Sequence, residues 1–168
     1  MAQVRTSRVI PAMIALYRRL DGLSYPAASS GSGNVTVILG AAQTIPLEYV
    51  IVDGAPDPSQ IEQRTSDRMN EEFTLRVVVG TQVPQRDTAT APASQVALER
   101  LAELLDTVEA GLRDQTTGKP ILLNEVTGLD VDVIARQAMT LSVQPQVFAD
   151  AEGVKAEASL IVRIQAVI

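Results

Sequence analysis

Three short stretches carry residue types that could do chemistry. Ser30-Gly-Ser-Gly33 has the small, glycine-rich character of a phosphate-binding loop, in which backbone N–H groups converge on an anion at a helix N-terminus. Such a loop follows a strand and opens a helix. Here the stretch lies between an expected helix and an expected strand, so it reads as a linker. Thr116-Thr-Gly-Lys-Pro120 shares the Gly-Lys pair of a P-loop. Arg113 stands where that loop needs its first glycine, and Pro120 replaces the Ser or Thr that would hold the metal. Gly118 and Pro120 therefore read as a helix stop. Asp130 and Asp132, two apart, share one face of a strand, and paired carboxylates can bind a hard cation or share a proton. No further ligand follows at a recognisable spacing, which favours a solvated face or an inter-subunit salt bridge.

Composition narrows the remaining chemistry. The 168 residues include no Cys and no His. Disulfides, thiol nucleophiles and the usual zinc sites are thereby excluded, as is the commonest general base at neutral pH. Catalysis would have to rest on carboxylates, Lys, Ser, Thr or Tyr, and no cofactor is implied. Aromatic residues are 3% of the chain, with no Trp, too few for base-stacking platforms. The core must be built from Val, Leu, Ile and Ala. The net charge is −6, and the cations are scattered after Arg5, Arg8, Arg18 and Arg19. Tight nucleic-acid binding, which needs a basic face, is disfavoured. No apolar run is long enough to span a bilayer, and the first residues do not form a signal peptide. The expectation is a soluble protein, cytosolic in the cell that makes it.

The elements that must position these residues follow from periodicity. A helix is expected over 7–21, with Ser7 as cap, Pro11 in the first turn and Ile10, Met13, Ile14, Tyr17 and Leu20 as its apolar stripe. Arg18 and Arg19 sit at its C-terminal end, favourably for the helix dipole. The glycine- and serine-rich stretch 22–34 is an expected loop. Strands are expected over 35–39 and 47–52, then a loop over 54–69. Residues 71–80 alternate apolar and polar, the period of a half-buried strand. A polar, proline-interrupted loop covers 81–93. The next helix spans 94–114, with Ala97, Leu98, Leu101, Leu105, Val108 and Leu112 on its inner face and Glu99, Arg100, Glu103 and Asp106 facing away. Strands are then expected over 121–126, over 131–147 with a bend or bulge, and over 154–168, the last two joined by a hairpin turn at 149–153. The sum is a single α+β domain over 1–168, a mostly antiparallel mixed sheet with two helices on one face.

This order is similar to that of the tail terminator family of long-tailed bacteriophages. Val35-Thr-Val-Ile-Leu-Gly40 and Pro46-Leu-Glu-Tyr-Val-Ile-Val-Asp-Gly54 resemble its paired early strands. Asn70-Glu-Glu-Phe-Thr-Leu-Arg-Val-Val-Val79 resembles its central strand, which begins with acidic residues and a Phe. The long helix follows, and Gly153-Val-Lys-Ala-Glu-Ala-Ser-Leu-Ile-Val-Arg-Ile164 resembles its last strand. The resemblance spans nearly the whole chain and rests on patterns of residue type.

The resemblance implies a non-enzymatic virion protein at the neck of the phage. It implies a homohexameric ring that caps the tail tube, stops its polymerisation and meets the head-completion or connector protein. DNA would only pass through the lumen, whose wall would be acidic or neutral. The candidate interface residues are Arg18 and Arg19 at the first helix end, Asp57, Gln60 and Arg64 in the 54–69 loop, and Gln85 and Arg86 in the 81–93 loop. The competing expectations are a tail-tube subunit, a head–tail connector or other neck protein, a small carboxylate- or Ser-dependent enzyme, and a plain binding module.

Overall fold

The computed structural model describes residues 9–27, 34–53, 63–65, 68–83, 92–113, 117, 133–137, 146–150 and 153–167. Two helices, α1 (Val9–Asp21) and α2 (Ala93–Gly111), pack on a seven-stranded sheet. The strands are β1 (Thr36–Leu39), β2 (Glu48–Asp53), β3 (Gln63–Thr65), β4 (Arg68–Val83), β5 (Val133–Gln137), β6 (Gln146–Asp150) and β7 (Gly153–Val167). The class is α+β, as the periodicity implies.

Strand order is β1-β2-β4-β7-β5, with β3 also on β4 and β6 also on β7. Every pairing is antiparallel except β1 on β2. β4 and β7 form the spine, in register from Asn70 opposite Val167 to Val83 opposite Val154. β4 is longer at both ends than the alternation of 71–80 suggests. It takes in 81–83 of an expected loop, and β3 lies inside the other expected loop at 54–69. The reason is pairing: a polar residue is tolerated in a strand when its backbone groups find a partner, and β7 offers one from Asn70 to Val83 and β3 from Arg68 to Asn70. The single strand expected over 131–147 is two separate strands, β5 and β6, both on the same edge of β7. The expected irregularity is present in β5, where the register shifts between Ile134 and Gln137. The hairpin joining β6 to β7 pairs Asp150 with Gly153. Gly153 has φ +144°, a conformation that side chains rarely adopt.

One face of the sheet holds the core. Val50, Val52, Leu75, Val77 and Val79 meet Ala156, Ala158, Leu160, Val162 and Ile164 under the helices, all buried. α1 presents Ala12, Ala15, Leu16 and Leu20 to this core, whereas Ile10 is 68% exposed. Of the expected stripe, Leu20 is buried and Met13 and Tyr17 pack against the core, so the stripe is rotated only in part, away from Ile10 and towards Ala12, Ala15 and Leu16. The small side chains of Ala12 and Ala15 let the helix approach closely. The expected cap Ser7 lies outside the described residues.

α2 starts after Pro92, with no side-chain cap, and ends at Gly111, three residues before the expected end. Leu101, Leu104, Leu105 and Val108 are buried as a helix face should be. Two expectations are overturned: Arg100 is buried, and Leu98 is exposed. Arg100 lies one turn from both Ala97 and Leu104, so it sits on the inward arc, and a buried partner on β2 makes that position tenable. No helix among the described residues is long and apolar enough to cross a membrane. The strand expected over 121–126 lies outside them.

Candidate functional site

Glu48 opens β2 on the same side as Val50 and Val52, so its carboxylate points beneath α2. Arg100 projects from α2 to meet it. Nε donates to Oε1 at 2.8 Å and Nη2 donates to Oε2 at 2.9 Å, a two-pronged pair. Nη2 also donates to the Pro26 carbonyl at 2.7 Å, and Nη1 to the Glu103 carboxylate at 2.8 Å. Both partners are almost fully buried, with side chains 7% and 3% exposed. A buried charge is tenable when its partner and remaining hydrogen bonds are all in place. The hydrogen bonds to Glu48 raise the Arg100 pKa above its ordinary value, against the opposing effect of burial. This guanidinium stays charged, so it orders its surroundings and does not exchange protons.

Above the pair lies a small cavity of about 60 Å³, bordered by Glu48, Thr81, Val96, Glu99, Arg100 and Glu103. Thr81 faces Glu48 across the β2–β4 register. Glu99 and Glu103 stand on the exposed side of α2, with Glu99 accepting a 2.8 Å hydrogen bond from Gln95 Nε2.

The opposite face of the sheet carries a second polar group. Tyr49, Gly80 and Glu157 are in register across β2, β4 and β7. The Tyr49 ring lies over Gly80, where a Cβ would overlap it, and its hydroxyl donates to Glu157 Oε2. Lys155 Nζ sits 5.3 Å from the ring centroid and 3.2 Å from Glu157 Oε2, close enough for a cation–π contact and an ion pair. Burial and the bond to Glu157 push the phenol up to about 12. At neutral pH it is a hydrogen-bond donor, not a base. Further along this face Arg76 pairs with Asp53.

Of the expected interface residues, Arg18, Arg19 and Arg64 fall among the described residues. Arg18 is exposed at the end of α1. Arg19 is half-buried and donates Nε to the Gly111 carbonyl at 2.7 Å, tying α1 to the C-terminal end of α2. Its guanidinium thus has a task within the fold. Arg64 lies in β3, far along β4 from Glu48. Asp57, Gln60, Gln85 and Arg86 lie outside the described residues, as do Ser30-Gly-Ser-Gly33, Asp130 and Asp132. So does Thr116-Thr-Gly-Lys-Pro120, apart from exposed Thr117. Among the described residues no group of three or more Asp and Glu could hold a metal ion. The residues that sequence reasoning missed are Glu48, Thr81 and Arg100. The available signal was Glu48 itself, a lone charge in the apolar run 47–52, which a buried strand accepts only with a partner.

In comparisons with known proteins, no protein-family model matches the sequence and no curated protein matches it.

Proposed function

We propose that the protein is a tail terminator of a long-tailed phage, a structural subunit whose ring caps the tail tube, halts its growth and presents it to the head. The observation that carries this reading is the order of elements. A helix, two short early strands, a long central strand preceded by the short β3, a long helix and, after β5 and β6, a long closing strand lie in this order along the chain. The resemblance to that family implies the helix, paired early strands, central strand, long helix and closing strand among them. The sheet supports it further. Its borders are unlike, short β1 on one side and β5 with β6 on the other. A closed ring of identical subunits is built by joining two different surfaces of each copy, and sheet edges are ready templates for such joints. The charge of −6 suits a lumen through which DNA slides without being held.

The test is negative-stain microscopy of virions from a phage lacking this gene product, beside wild type. Unjoined heads with tails of abnormal, variable length are the expected result. Normal-length tails would overturn it in favour of a head-side connector, and absent tails in favour of a tube or initiator subunit.

A further inference from the structure

The cavity between β2, β4 and α2 contains a hydroxyl that has no partner among the described residues. Thr81 is 1% exposed and its side chain borders the cavity, yet its hydroxyl makes no hydrogen bond with any described residue. A buried hydroxyl without a partner costs free energy, so a group that reaches it is favoured there.

Charge says what kind of group. Glu48, Glu99 and Glu103 border the cavity against the single cation Arg100. Arg100 is already committed to both oxygens of Glu48, to the Pro26 carbonyl and to Glu103, which leaves an excess of acceptors and negative charge. A divalent metal is disfavoured, because no group of three or more Asp and Glu among the described residues could hold one. Size narrows it further. The cavity is small, about 60 Å³, and suits a compact ammonium with its last methylene better than the planar fork of a guanidinium.

We propose that this cavity receives a primary ammonium group, the end of a lysine side chain presented by another protein chain. The ammonium donates to the Thr81 hydroxyl and to the surrounding carboxylates, while its alkyl stem passes Val96. The site does not depend on the role of the chain in tail assembly.

The experiment titrates n-butylammonium chloride into the isotope-labelled full chain, with n-butanol as control, following backbone amides by NMR. The expected result is saturable shifts at Thr81, Gln82, Val96 and Glu99 with the ammonium alone, weakened by added salt. Thr81→Val, which keeps the volume, and Glu99→Gln, on an exposed side chain outside the Arg100 hydrogen bonds, each weaken binding about fivefold or more, with unchanged spectra elsewhere. Equal shifts with butanol, or wild-type binding by both variants, would overturn the proposal and leave a hydrated cavity only. Light scattering across a concentration series identifies the donor. Association reversed by butylammonium assigns the lysine to another copy of this chain. Butylammonium binding by a protein whose mass is constant assigns it to a different protein.

Discussion

The ring of Tyr49 rests on Gly80 of the neighbouring strand, in the space that any side chain at position 80 would fill. The glycine is therefore a packing requirement of the tyrosine. Gly80→Ala should destabilise the fold by about 1–3 kcal/mol, the usual cost of overpacking, read as a lower urea midpoint. Adding Tyr49→Leu should recover part of that loss. A Gly80→Ala chain as stable as wild type would show that the ring moves aside freely.

The same tyrosine sets an alkaline limit. Its pKa is pushed up to about 12 by burial and by the bond to Glu157, against about 10 in an unfolded chain. Between those values the unfolded state has lost the proton that the folded state keeps. Stability is then unaffected below about pH 10 and falls as pH rises towards 12. Thermal melts across that range should show Tm falling more steeply in wild type than in Tyr49→Phe. Tyr25, also raised by burial and by Asp21, should leave a residual slope in the variant.

The pair of Arg100 and Glu48 should behave asymmetrically. Glu48→Gln leaves a buried guanidinium with only the exposed Glu103 as counter-charge and should cost about 3 kcal/mol. Replacing both, as Glu48→Leu with Arg100→Met, should recover most of that stability, because no buried charge is left behind. Denaturant unfolding of both variants checks this, and equal losses would be the contrary result.

Arg18 and Arg19, adjacent in sequence, should separate in effect. Arg19→Ala removes the bond to the Gly111 carbonyl and should cost about 1–2 kcal/mol. Arg18→Ala, at an exposed position, should leave stability within about 0.5 kcal/mol. Any consequence of Arg18→Ala for assembly would then be separable from folding by comparing melts with microscopy of assembled particles.

The strands were the legible part of the sequence, because alternation decides which residues face the core. Val77, Val79, Leu160 and Val162 all point where the period of two puts them. Helix facing was less legible. In α1 two overlapping rows, one through Ile10 and one through Ala12, fit the same spacing and share Leu20. Only the close approach of the sheet chooses the row with alanines. In α2 charge alone suggested that Arg100 faces solvent, since its partner lies 52 residues away and no local rule connects them. Strand ends were missed for a similar reason: β3 and the extensions of β4 exist through pairing across the sheet. The cavity was illegible because its border joins residues from β2, β4 and α2.

β7 comes later in the chain than every strand it pairs with, namely β4, β5 and β6. During synthesis, β4 has therefore left the ribosome long before the strand that covers one of its edges, and β5 and β6 wait for the same partner. The nascent chain carries an open apolar edge of the kind that recruits chaperones or other chains. The sheet closes only when residues 153–167 emerge. No nascent copy short of that point can have a complete sheet, so a truncated product is withheld from any assembly that requires one.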